Sequence, residues 1–348
     1  MIHAPPRSCA SCDETGCAMN RRHGVDLAPT ARVAFVVDDV WPEYASMIAN
    51  ALRPDDQLIA PGLFGGARLA RYAWPGKASH RATVATLRRH LNMRQVARAP
   101  GGVRQRTYLQ SDRRLARALA KAIDYRADHL VVAQVWLPWI EEAGALGGRS
   151  FDVVMSRYPM ADIHHLLDKA AGEAGGSATI ADFRADADLV ARETGLLGRA
   201  RHIITPHHGI AALFPAQTVQ LAWHRPPPFQ ARPGNRVAFL GPTITRQRPD
   251  LVRTVARSLD APLIVFGPML AGADYWDGVA IERREMGPNW LDGIGTILHP
   301  ATMTAQPRAL LEAIAGGVTV YATAESGLDP ADFQHFSGAR TFAEVRSA

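Results

Sequence analysis

Apolar residues in this chain gather into short continuous runs separated by polar, helix-compatible stretches, the pattern of buried strands alternating with helices. The run Arg32-Val33-Ala34-Phe35-Val36-Val37 predicts a buried strand ending at Asp38-Asp39, and the segment after it predicts a helix over about 43–52. Further strands are expected over 57–60, 129–135, 151–155 and 202–205, with helices over 111–124 and 186–198. Residues 62–102 are too interrupted by Gly and Pro for assignment. The pattern restarts at Arg236-Val237-Ala238-Phe239-Leu240-Gly241, continues with a helix over about 250–259, and reaches a strand over 263–267. Between the halves, His224-Arg225-Pro226-Pro227-Pro228 favours extended, semi-rigid chain. The expected division is a leader over 1–30, an N-terminal α/β domain over 31–230 and a C-terminal α/β domain over 231–348.

The segment 295–328, GTILHPATMTAQPRALLEAIAGGVTVYATAESGL, carries the most chemistry. It reads as strand, loop, helix, glycine turn, strand and loop. Pro307 suits the first helical turn, residues 308–315 are good helix formers, and Gly316-Gly317 supplies a left-handed exit before Val318-Thr319-Val320. A helix N-terminus then faces the loop after the Ile297-Leu298 strand, where anionic ligands bind in parallel sheets.

This arrangement resembles the nucleotide-sugar site of GT-B glycosyltransferases, whose retaining, family 4-like members carry a Glu-x7-Glu helix followed by a Gly-Val/Pro-Val strand. Glu312 falls on the second Glu, and Thr304 stands at the first. The turn Thr205-Pro206-His207-His208, followed by Val219-Gln220-Leu221-Ala222-Trp223, is also similar to the end of the superfamily's N-terminal domain. The resemblance implies two Rossmann-like domains facing a cleft, a UDP- or GDP-type sugar donor on the C-terminal domain, and ribose hydroxyls held by Glu312. It places the family's diphosphate-binding turn at residues 241–248, with Gly241, Thr243, Arg246 and Arg248 as candidates; guanidinium groups suit a diphosphate because their donors bind in a fork. Gln306 and the amides near Leu310 are expected on the other side of the phosphates. His207, His208 and His299 are candidates for polarising a sugar or moving a proton. The plain alternative is an α/β unit with a helix-surface glutamate and solvated arginines.

Charge adds a second theme. The chain has a net charge of +6, yet residues 68–121 hold fourteen Arg/Lys against the single acid Asp112, a local +13 that leaves −7 elsewhere. Such a block, including Arg88, Arg89, Arg94 and Arg98, predicts an anionic partner, whether phospholipid headgroups or a soluble polyanion, or else a merely solvated face. Its scarce aromatics argue against nucleic acid. Many enzymes of the resembled superfamily act on lipid-linked acceptors from a basic N-terminal domain, which implies peripheral attachment to the inner face of a membrane. No apolar run approaches membrane-spanning length and the start lacks an apolar signal core, so a cytoplasmic location is expected.

The three cysteines all lie in the leader: Cys9, Cys12 and Cys17, with His23 or His3 able to complete a tetrahedral Cys3His set. Zn2+ accepts that set, whereas a three-cysteine iron–sulfur cluster would leave one iron open; a redox-active tail is the alternative. Three functions are thus set in contention: glycosyl transfer from a nucleotide-activated donor, epimerisation of a nucleotide sugar on the same fold, and a non-catalytic scaffold binding a metal and an anionic partner.

Overall fold

A computed structural model describes residues 32–62, 72, 74, 80–174, 177–182, 184–338 and 345 of the 348. The described chain forms two compact α/β units. The first takes residues up to 161, 184–206 and 210–224; the second takes 162–183, 207–209 and 225 onward, so the units interleave in sequence.

In the first unit, strands β1 (Val33–Val36), β2 (Gln57–Ala60), β3 (His80–Arg81), β4 (His129–Ala133), β5 (Ser150–Val154), β6 (Ile203–Thr205) and β7 (Thr218–Gln220) form one sheet, order β3-β2-β1-β4-β5-β6-β7. Every pairing is parallel, with Phe35 opposite Leu58 on one side and Val131 on the other. All residues of β1 and β4 are buried, which accounts for their continuous apolar runs. Helices α1 (Pro42–Ala51), α2 (Thr83–Gln95), α3 (Gly101–Ala120), α4 (Leu137–Glu142), α5 (Met160–Ala174), α6 (Ala178–Ala181), α7 (Ala187–Arg199) and α8 (His208–Ala211) occur between the first strand and the last. Most of α5, with α6 and the start of α8, belongs to the second unit.

In the second unit, β8 (Arg236–Leu240), β9 (Leu263–Phe266), β10 (Ile281–Arg284), β11 (Ile294–His299), β12 (Thr319–Ala322) and β13 (Gln334–His335) pair in parallel, order β10-β9-β8-β11-β12-β13. The order reverses between β8 and β11, so the carboxyl ends of these two strands flank a topological switch point. Helices α9 (Pro249–Ala256) and α10 (Arg308–Ala315) follow β8 and β11. Phe239, Val252, Val255, Leu263, Val265, Trp276 and Leu298 build a core between sheet and helix. The expected class, α/β with two Rossmann-like parallel sheets, is the observed one.

Several boundaries differ from the expectations. Beyond β3, the unassigned 62–102 stretch contains α2, and α3 begins ten residues before the predicted helix, continuing through Gly101-Gly102 to the residues that bury Leu115, Ala116 and Leu119. The two helices pack on each other, so tertiary contact overrides glycine's poor propensity. The strand foreseen over 129–135 ends at Ala133, where Gln134–Trp136 turns as 3-10 helix and fully buries Trp136, whose Nε1–H donates to the Val37 carbonyl at 3.3 Å.

The basic block is not uniformly a surface. Arg89 on α2 is 5% exposed. Its guanidinium meets Asp112 at 2.8 Å and Asp38 at 3.5 Å, bonds the Tyr72 hydroxyl, and lies 5.1 Å from the centre of the Trp136 ring. Burial disfavours its charge, but Asp112 and Asp38 reverse this and raise its pKa above the ordinary arginine value. Arg89 is therefore a core residue, while Arg88, Arg94 and Arg98 are exposed. Arg89→Ala would leave Asp112 buried without its partner and should cost about 3–5 kcal/mol in denaturant unfolding, against at most about 0.5 kcal/mol for Arg88→Gln. Equal, small losses for the two variants would contradict the structural role given to Arg89.

Candidate functional site

The loop leaving β8 is built by close backbone approach. A Cβ on Gly241 would stand 2.1 Å from the Phe266 carbonyl oxygen, which instead accepts the Gly241 N–H at 3.1 Å. Thr243 is fully buried, and its hydroxyl accepts the Trp276 indole N–H at 3.1 Å, so it secures the loop rather than facing solvent. Arg246 lies in the short 3-10 turn Thr245–Gln247, its carbonyl accepting the Thr302 N–H at 2.8 Å from the loop after β11.

Arg248 caps α9 in a left-handed conformation, φ 54° and ψ 48°, with Pro249 opening the helix behind it. Its side chain is mostly buried and pairs with Glu173 of α5 and, at 3.0 Å, with Asp250. Burial opposes the charge; Asp250 and Glu173 outweigh it and raise the pKa above the ordinary value. A phosphate at Arg248 would have to compete with two carboxylates already on the guanidinium.

Around Arg248 a cavity of about 400 Å³ opens at the carboxyl ends of β11, β12 and β13. Its wall includes Lys169 and Glu173 of α5, Thr302, Thr323 and Ser337. Thr323 Oγ1 donates to the Ala301 carbonyl at 2.9 Å, whereas Thr302 Oγ1 is buried without a hydrogen-bond partner among the described residues. Lys169 is exposed and makes no ion pair among them. The sequence reading missed Lys169 because α5, lying in the first half of the chain, gave no sign of joining the second unit.

On the other flank of the β11 loop, α10 spans the predicted 308–315, and the left-handed exit falls on Gly317, φ 79°. Leu310 is buried, Gln306 exposed and Glu312 half-buried, with no ion pair to the Glu312 carboxylate among the described residues. Of the seven cofactor-binding candidates, Arg248 alone lines the cavity.

Thr304 joins two of the candidate histidines. Its carbonyl accepts the His207 Nε2–H at 2.8 Å, and its hydroxyl lies 2.8 Å from Nε2 of His299. Gly327, φ 77°, makes room for His207: a Cβ there would come within 2.3 Å of the imidazole ring. His299 ends β11 with its Nδ1 buried and unpartnered among the described residues. Burial pushes both rings down to about 4, so both are neutral near pH 7 and neither serves there as a phosphate-binding cation. His208 is partly exposed, 3.8 Å from Asp329.

A second histidine cluster lies in the first unit. His129 bonds Ser150 Oγ at 2.9 Å through Nδ1 and Asp152 at 3.0 Å through Nε2, and His202 reaches the other oxygen of Asp152 at 3.1 Å. The residue types mimic a hydrolytic triad, but His129 and Asp152 are fully buried and the cluster begins at the amino-terminal end of β4. Burial would raise the Asp152 pKa; the two histidines overcome it and hold the carboxyl at about 2. Its evident work is to neutralise a core carboxylate.

Cys9, Cys12, Cys17, His3 and His23 lie outside the described residues. Among the described residues no group of three or more His, Cys, Asp or Glu is arranged to hold a metal, and no helix is long and apolar enough to cross a membrane.

No protein-family model matches the chain, and no curated protein sequence does. Solved structures similar to it include the apo form of the lipopolysaccharide outer core galactosyltransferase WaaB, at 10% identity and TM-score 0.45, covering 90% of this chain and 88% of that one. Anabaena Alr3699/HepE in complex with UDP-glucose is similar at 13% identity and TM-score 0.44, covering 91% and 89%. LpCGTa in complex with UDP follows at 12% identity and TM-score 0.40, covering 91% and 90%. These similarities are of fold at most.

Neutral burial of His207 and His299 fixes the sign of a pH effect. Unfolded, each takes up a proton near pH 6.5; folded, only near pH 4. The unfolded state binds more protons within that window, so stability should fall as pH drops through it, by a few kcal/mol in order of magnitude. Melting temperature should decline from pH 6.5 to 4, and His207→Gln, which keeps a donor for Thr304, should flatten the decline. An unchanged pH profile in both His207→Gln and His299→Gln would contradict the neutral state assigned to the rings.

Proposed function

We propose that the chain is a glycosyltransferase of the GT-B type, taking a nucleoside-diphosphate sugar along the carboxyl edge of the second sheet. The observation that carries the reading is the β11-loop-α10 unit: its helix occupies the predicted residues, follows the switch-point strand, and presents a half-buried Glu312 with no ion pair among the described residues. In this reading Glu312 accepts hydrogen bonds from ribose hydroxyls, and the α10 N-terminal amides with Gln306 meet the diphosphate. Lys169 supplies charge for the leaving diphosphate, where negative charge accumulates during transfer. Arg248 becomes a positioning residue that anchors α5 to the start of α9, in place of the direct phosphate ligand expected from sequence. Buried neutral His299 polarises by hydrogen bonding rather than by charge. The acceptor is lipid-linked and meets the first unit, whose charge suits an anionic surface.

A second reading, a binding scaffold without transfer, is favoured by one observation: Thr304 replaces the acidic residue of the family motif and is engaged by two histidines. Donor binding is common to both readings and is the first thing to measure. A nucleoside diphosphate should raise the melting temperature, and Glu312→Ala and Lys169→Ala should each weaken its binding roughly ten- to a hundredfold, the loss of one charge-assisted contact. Arg248→Ala should instead lower the melting temperature of the ligand-free protein, because it removes the mostly buried guanidinium that ties α5 to the start of α9. Absence of any shift with nucleoside diphosphates at millimolar concentration would defeat the donor site; a shift without sugar transfer would select the scaffold.

A further inference from the structure

Helix α2 is inverted relative to an ordinary surface helix. Its buried positions are the polar Thr86 and Arg89, while Val84, Leu87 and Leu91 are 72%, 47% and 50% exposed. At 3.6 residues per turn the three aliphatic side chains fall within about 60° of one another around the axis, with Arg88 on one side of the stripe and Arg94 on the other. Arg98 continues the basic border in the turn beyond the helix, and Val103, 39% exposed, adds an aliphatic side chain in the first turn of α3. Arg88, Arg94, Arg98 and Arg106 are all exposed.

We infer that this face of α2 is a bilayer-insertion surface, its aliphatic stripe entering the acyl boundary while Arg88, Arg94 and Arg98 bind anionic headgroups. The chemistry excludes the other occupants in turn. A second copy packed on the same face would bring the arginines of both copies together across an isologous contact, well within one Debye length. Nucleic acid would leave the aliphatic stripe without partners, because the face carries no aromatic side chain for base stacking. An anionic bilayer satisfies both parts at once: apolar side chains leave water and guanidinium groups stay at the headgroup level. The asymmetry follows from Arg89, which commits the opposite face of the helix to Asp112 and Asp38 and leaves the aliphatic positions outside. This surface belongs to the first unit and does not depend on the donor site of the second.

The test uses the full chain and two vesicle types, phosphatidylcholine alone and phosphatidylcholine mixed with phosphatidylglycerol. Wild-type protein should sediment with the anionic vesicles and stay partly bound at about 0.15 M salt, where the Debye length is about 8 Å. Arg88→Gln with Arg94→Gln and Arg98→Gln should weaken partitioning at low salt by about fivefold per arginine. Val84→Ser with Leu87→Ser and Leu91→Ser keeps all the charge and should remove the salt-resistant fraction, roughly tenfold or more per leucine. These positions are exposed, so the variants should melt as the wild type does, and nucleoside-diphosphate binding, read on the same proteins, should be unchanged. Equal binding to neutral and anionic vesicles, no binding to either, or salt-resistant binding that survives the serine substitutions would each overturn the proposal; the last would leave a charge-only contact.

Discussion

A guanidinium taken out of water must keep its charge, because its pKa lies beyond reach, so it survives burial only beside carboxylates that hold it in place. Both units are organised around such a group. In the first, Arg89 meets Asp112 and Asp38 and packs against Trp136; this ties α2 to α3 and to the loop after β1, and it determines which face of α2 turns outward. In the second, Arg248 meets Glu173 and Asp250, fixing α5 against the N-terminus of α9 and forming one side of the cavity at the strand ends. The Arg89 cluster is costly to break because its carboxylates are buried with it, whereas Glu173 and Asp250 reach solvent and act on Arg248 mainly by fixing its geometry.

That constraint explains what could be read from the chain and what could not. Central strands declare themselves, since a strand buried on both faces needs an unbroken apolar run, as in Val33–Val36 and Leu263–Phe266. Helix α10 also has local punctuation at both ends and was legible to the residue. The short edge strands β3 and β13 have only two residues each, and in β10 a single apolar Ile281 is followed by three charged residues, so neither type gives a run to detect. Helix α2 hides for a different reason: its buried face is polar, and the pattern that marks a helix is reversed.

The surroundings of the candidate cations were not legible in the sequence. From sequence, Arg248 is a basic residue in a candidate phosphate-binding loop, and Lys169 stands in a stretch where no element was expected. In three dimensions the arginine is spoken for by two carboxylates while the lysine reaches the cavity wall without an ion pair among the described residues. No local pattern encodes this exchange, because it arises when α5 leaves the first half of the chain to join the second unit.

Thr304 sets the chemistry at the end of β11 through two histidines. A glutamate there would bring a negative charge close to two buried imidazoles, raise their pKa values and favour their protonation. The threonine hydroxyl meets His299 without adding charge, the backbone carbonyl of the same residue accepts from His207, and both rings stay neutral, with His207 seated in the space left by Gly327. Thr304 thereby joins His207 and His299 in one uncharged network of hydrogen bonds, whose end, Nδ1 of His299, has no partner among the described residues. The uncharged character is confined to this network, since the cavity beside it is lined by Lys169, Glu173, Arg248 and Glu325.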